Sequence, residues 1–303
     1  MSAKRQPLIA FTVSGISKDG IKSLESAVEK VRAENPGANL TLVLVEGGVS
    51  VGGDEESLLE EVREQAVASD GAEVSEISVC YLETIRTATE AGGKYIRQTG
   101  GRGNYGHCVI RLEPGRVGSG VAFVNRLESS QIPEEYLGAI EEGVKETLAH
   151  GVRPGRPITD VKAALIDGSW HETDSNEDAF RNAGAIAAEE AGRNARPLLL
   201  EPMMEVEFLA YTEDMPAITK EIRARRGRIV SNDEVFLARE VVAFVPLAEL
   251  LNASARGKPD WEMRFTGYEI FAGRDDMDGE IGSAVPKWPR GPNLRTDRSS
   301  DQP

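Results

Sequence analysis

Gly101, Gly103 and Gly106 stand in TGGRGNYGHC, residues 99–108, at the G-x-G-x-x-G spacing of a turn that lays a pyrophosphate against a helix. That chemistry needs a strand before the glycines and a helix after them, because the helix's unpaired N–H groups and positive end hold the phosphates. KYIRQ, ahead of the loop, reads as a strand. HCVIRLEP, behind it, is too short, too β-branched and too soon ended by Pro114-Gly115 to be a helix. No acidic residue follows about 20 positions on at a strand end, where it would hold a ribose. The stretch is therefore expected to be a hairpin, its glycines giving positive φ and close approach at the tip, between Arg97, Arg102 and His107. No nucleotide is expected there.

Other chemistries lack their residues. G-x-x-x-x-G-K-[S/T] does not occur, so the sequence offers no P-loop and no GTPase activity of its own. DDMDGE lacks the first Asp and distant Glu of a calcium loop. His107, His150 and His171 fall on different elements without metal-ligand spacing, and Cys80 and Cys108 alone cannot make a tetrahedral site. Cys108 follows His107 directly, but neighbours in a strand point to opposite faces, so they should not pair. Neither catalytic nor metal-binding residues nor a cofactor are expected.

Charge is more informative. The 303 residues carry −15 at neutral pH, which disfavours indiscriminate binding to nucleic acid. The distribution is uneven. Residues 1–80 hold seven Lys/Arg against fourteen Asp/Glu, and residues 84–120 hold six against two. Lys220 to Arg228 adds five bases, including Arg225, Arg226 and Arg228, against one acid. Such clusters are either solvated faces or two anion-facing patches on an acidic body. No apolar run is long enough to cross a bilayer, and MSAKRQP lacks the core of a secretory signal, so a cytoplasmic location is expected.

Several elements must position these residues. From 7 to 80 the periodicity predicts strand, helix, two strands turning at Gly47-Gly48, helix and a last strand, VSEISVCYL. The same β-α-β-β-α-β order recurs from LLLEPMMEVEFLA to WEMRFTGYEIF, with helices over TEDMPAITKEIRARRG and LAELLNASARG. Between them, helices are predicted over IPEEYLGAIEEGVKETLAHG and DSNEDAFRNAGAIAAEEAGRNA, the second opened by Asp174 with Glu177 three residues on. Beyond about 274 there is no periodicity; a mobile tail is expected there, with Trp288 its only large apolar anchor. The fold class is α+β: two ferredoxin-like sandwiches flanking a different middle domain.

The middle stretch closely resembles the C-terminal part of bacterial elongation factor G. ETIR and GGKYIRQTGGRGNYGH, within Glu83–Pro114, look like the start of that factor's fourth domain. GSGVAFVNRL, IPEEYLGAIEEGV, DVKAAL, DGSWHETDSNEDAF and LLEPMMEVE follow in the family's order, and RARRGRI and AFVPLAEL resemble its fifth domain. The resemblance implies a third-domain-like ferredoxin fold over 1–81, a ribosomal protein S5 domain 2-like fold over 82–196, a fifth-domain-like ferredoxin fold over 197–272 and a mobile tail over 273–303.

It also implies a ribosomal partner: rRNA, with tRNA and mRNA at the decoding site. The implied RNA-binding residues are Arg97, the loop Gly100, Gly101, Arg102, Gly103, Asn104, Tyr105, Gly106 and His107, then His171 in DGSWHETDS, and Arg225, Arg226 and Arg228. Tyr105 either stacks on a base or packs against the root of its own loop. His171 either meets RNA or is an ordinary loop histidine.

Departures from the family matter too. SVGGDEESLLEEV replaces the third-domain word resembling GELHLE, and NASARGKPDW is a shortened form of a late fifth-domain word. The alternatives are a protein-interaction module using the acidic N-terminal face, without ribosome binding, and the C-terminal half of a split translocation GTPase. Met1 and the ragged tail favour a separate chain.

Overall fold

The computed structural model describes residues 6–45, 47–67, 71–97, 103–128, 131–153, 155–209, 215–224, 227–233, 238–243 and 261–271. The second helix expected in the last ferredoxin-like unit and the tail after 272 lie outside these residues. The chain divides into two compact units, residues 1–201 and 202–303.

In the first unit, strand β1 (Ile9–Ser14) leads through Ser17 into helix α1 (Lys18–Glu34). The Ser17 hydroxyl accepts the Gly20 N–H at 3.1 Å, satisfying one of the donors every helix start leaves open. Strands β2 (Leu40–Val45) and β3 (Gly48–Gly53) turn at Gly47, whose φ of 79° suits a residue without Cβ. Helix α2 (Glu56–Val67) follows, then β4 (Glu73–Val74) and β5 (Ser78–Val79). The expected single strand VSEISVCYL is thus two short ones, both pairing with β1. The order β2-β3-β1-β4, antiparallel throughout, is the ferredoxin-like arrangement. Phe11, Val13, Val28, Val31, Val49, Val51, Leu59 and Val62 fill its core.

Strand β6 (Leu82–Ile85) carries Glu83, wholly buried. Arg153 Nη1 lies 3.3 Å and Arg156 Nη1 3.7 Å from Glu83 Oε1, while Oε2 has no partner. Burial raises its pKa against the pull of both arginines. A second sheet, β7-β8-β10-β9, then forms from β7 (Thr89–Arg97), β8 (Asn104–Pro114), β9 (Val121–Asn125) and β10 (Val161–Ser169). The β9–β10 pair is parallel and bridged by helix α3 (Leu137–His150), which Gly151 ends at φ 81°.

Helix α4 (Glu177–Asn194) buries Ala179, Phe180, Ala183, Gly184, Ala187, Ala188, Ala191 and Gly192. Small residues let its backbone lie directly on neighbouring elements. A Cβ at Gly93 would stand 1.9 Å from Ala183 O, one at Gly106 2.5 Å from Ala179 O, and one at Gly143 on α3 2.1 Å from Arg181 O. Phe180 is the large member of this core, stacked on Tyr136 at 4.8 Å between centroids.

Strand β11 (Pro197–Leu209) begins beside β6, antiparallel, and its later residues enter the second unit. There helix α5 (Met215–Ala224), β12 (Arg228–Asp233), β13 (Ala238–Ala243) and β14 (Trp261–Ile270) give the order β12-β13-β11-β14, the first sheet's topology repeated. The α+β class with ferredoxin-like sheets is as the sequence predicts. No helix of the described residues is long and apolar enough to cross a membrane.

Candidate functional site

The G-x-G-x-x-G stretch lies in a hairpin: β7 and β8 pair antiparallel from Thr89↔Leu112 to Arg97↔Asn104. Gly100, Gly101 and Arg102 lie outside the described residues. Gly103 and Gly106 do not have positive φ, contrary to the sequence expectation. Gly106 is not at the tip either; it sits inside β8, buried, where the backbone of α4 leaves no room for a side chain. Its role is the expected close approach, directed at a helix.

The loop after β10 closes on this hairpin. Asp174 Oδ1 accepts the Gly103 N–H at 3.1 Å, and its carbonyl accepts the Tyr105 N–H at 2.7 Å. Ser175 Oγ donates to Tyr105 O at 3.0 Å, and Asn176 Nδ2 donates to Asn104 Oδ1 at 2.6 Å. Two loops separated by some 70 residues are therefore one hydrogen-bonded unit. This corrects the expected helix start: Asp174 is committed to the hairpin, and Asn176 caps α4, its side-chain oxygen accepting the Ala179 N–H at 2.9 Å.

Tyr105 is in the ladder opposite Ile96, not at an apex. Its hydroxyl lies 2.8 Å from Ser169 Oγ, which is also 3.2 Å from His107 Nδ1, and Lys94 Nζ stands 5.9 Å over its ring. Cys108 faces the core, where burial pushes its thiol up to about 12, so no Cys/His pair forms. His171 is exposed; its Nδ1 lies 3.0 Å from Thr173 Oγ1 and 3.5 Å from Asp174 Oδ2. Glu172 is exposed beside it, so this loop carries two carboxylates, one of them accepting the Gly103 amide.

Arg97 is exposed at the end of β7. Arg225 and Arg226 lie outside the described residues, and Arg228 on β12 is 2.5 Å from Glu269 Oε1, a cation already matched. Sequence reasoning passed over Trp170 and Ile96, exposed at 42% and 62% beside these loops. For Ile96, alternation from buried Ala91 and Gly93 was a usable signal; for Trp170 there was none. No group of three or more His, Cys, Asp or Glu among the described residues could hold a metal.

Replacing Asp174 by Ala is expected to cost about 1–2 kcal/mol, through loss of one charge-assisted hydrogen bond and an amide left unpaired, read as a lower melting temperature. Asp174→Asn keeps an acceptor and should remain within about 0.5 kcal/mol of wild type.

Residues 77–196 match the family model described as elongation factor G, domain IV. A crystal structure of a Thermus thermophilus protein is 32% identical, with a TM-score of 0.63, over 90% of this chain and 42% of that one. The chain thus spans less than half the length of that relative.

Proposed function

From the premise that this chain is of the elongation factor G C-terminal type, with residues 77–196 its domain IV, we propose that it binds the ribosome by presenting its joined loops to RNA at the decoding site. The observation that carries this reading is the loop unit itself. The Gly103–Tyr105 backbone and the His171–Asn176 segment are bonded together at the loop end of the β7–β8 ladder. Two segments bonded in this way meet an RNA surface with their mutual geometry already set, so little ordering entropy is lost by them on contact. Arg97 and His171 are exposed there, and Arg102 falls between the two strands in sequence. Guanidinium groups of this kind position a protein on phosphates.

The first 80 residues favour a second reading. Val43, Leu44 and Val45 are exposed on β2, the edge strand of the first sheet, in a segment with a twofold excess of acids. An uncovered apolar edge surrounded by acids suits a protein partner.

Co-sedimentation with ribosomes separates the two. The ribosomal reading expects the protein in the pellet at low salt and progressive release as salt rises. Wild-type protein remaining in the supernatant at low salt would remove it.

A further inference from the structure

The end of the second sheet opposite the joined loops holds a buried carboxylate that the ribosomal reading does not use. Glu83 on β6 is wholly buried, and its backbone is held from both sides. Its N–H donates to Pro157 O and its carbonyl accepts the Thr159 N–H, each at 2.8 Å, while Leu199 of β11 pairs with it across the strand. The segment that makes these bonds leads straight into β10, whose Val161 pairs with Pro114, the last residue of β8. The joined loops stand at the other end of β8, at Asn104, eleven strand residues away. That is on the order of 35 Å.

The chain places two arginines side by side here. In GVRPGRP, residues 151–157, the Arg156 N–H donates to Arg153 O at 3.1 Å and Gly155 has φ 73°, which closes a four-residue turn. Both side chains reach one atom: Arg153 Nη1 is 3.3 Å and Arg156 Nη1 3.7 Å from Glu83 Oε1. Neither makes the two-bond fork of a guanidinium on a carboxylate, because Glu83 Oε2 has no partner. Most of the N–H donors of both arginines are left for another acceptor. Their side chains stay 32% and 24% exposed, so that acceptor can arrive from solvent. Asp160, next along the segment, is committed elsewhere: its carboxylate accepts the Gly118 N–H at 3.0 Å and the Gly120 N–H at 2.9 Å. Two guanidiniums against one carboxylate leave at least one positive charge in excess, and their mutual repulsion falls when an anion sits between them.

We propose that Arg153 and Arg156, held together by Glu83, bind a phosphate group. A planar carboxylate has one pair of oxygens and takes one fork, whereas a tetrahedral phosphate offers oxygens to two. Glu83 is the positioning residue: it stays buried, does not touch the ligand, and orders both arginines before it arrives, so little side-chain entropy is lost on binding. The site lies away from the loops and needs no ribosome. The phosphate is either free or a link in an RNA backbone, and the recognition chemistry is the same.

The test uses the full chain, with calorimetric titration of inorganic phosphate at constant ionic strength and fluorescence anisotropy of a labelled twelve-nucleotide oligoadenylate. Arg153→Lys and Arg156→Lys each keep a cation beside Glu83 and lose the fork, and should weaken binding about tenfold with melting unchanged. Arg153→Gln by itself would leave the buried carboxylate short of charge, so it is made in Glu83→Gln, whose oxygen still accepts from the arginines. The pair should bind at least about tenfold more weakly than Glu83→Gln alone. Losses on inorganic phosphate assign the site to free phosphate. Losses on the oligonucleotide alone, with a salt slope about 0.7 lower for the Gln variant, assign it to a strand's backbone. Wild type that binds neither ligand, variants that bind both as wild type does, or sodium formate competing as well as phosphate would overturn the site.

Discussion

Gly93→Ala is expected to destabilise the protein by about 3 kcal/mol, the upper end of overpacking effects. The new Cβ would lie 1.9 Å from Ala183 O and 2.6 Å from Ala187 N, both backbone atoms of α4. A side chain could rotate away; a helix backbone cannot. Either α4 lifts off the hairpin or β7 bends, and each exposes part of the core around Cys108, Ile110 and Phe180. At about 2–4 °C per kcal/mol for a domain of this size, the melting temperature should fall by roughly 10 °C. The control has the opposite sign. Gly138, in α3, has nothing within 4 Å of its would-be Cβ, so Gly138→Ala should stabilise by about 0.5–1 kcal/mol through helix propensity. Gly93→Ala within 1 kcal/mol of wild type would show that α4 does not sit as described. Because α4 begins at the joined loops, the same substitution should disturb them too.

The second large effect concerns binding. Arg102→Glu together with His171→Ala should weaken ribosome binding more than tenfold at moderate salt. The double change removes a guanidinium from one loop and an imidazole from the other, and adds one carboxylate where Glu172 and Asp174 already stand. Each phosphate that the protein no longer neutralises should also flatten the salt dependence, by ~0.7 log units per decade of salt for single strands. Arg228→Ala should have little effect, since its guanidinium is paired with Glu269. Pelleting isotherms at several salt concentrations measure both variants against wild type. Equal slopes for wild type and double variant would mean that neither loop touches phosphate.

Much of this was legible in the sequence where one residue's chemistry excludes the alternatives. HCVIRLEP could not be a helix, so the glycine stretch had to be a hairpin, and it is. The repeated β-α-β-β-α-β order announced two sheets of one topology, since two-residue periodicity and helix stops are local signals. What was hidden depended on distant partners. Asp174 and Asn176 are both competent caps, and the choice is made by the Gly103 amide, 71 residues away. Gly106 looked like a loop-tip glycine because nothing nearby in sequence reveals that Ala179 lies over it. Nothing adjacent in sequence marks Glu83 as buried, yet it is wholly buried, with its partners Arg153 and Arg156 contributed by a distant segment. Trp170 could have been core or surface on residue type alone; only its exposure makes it a candidate contact.

The most direct measurement places the loops on the ribosome. Cys108 is buried, and the Cys80 thiol is pushed up to about 12 by burial and Asp54, so a cysteine introduced at exposed Thr173 can be labelled selectively with an iron chelate. Hydroxyl radicals from that position should cleave small-subunit rRNA around the decoding site, while the same chelate at Glu25→Cys, on α1, should leave that region intact. Cleavage absent there from Thr173→Cys, or the same pattern from both positions, would contradict the account.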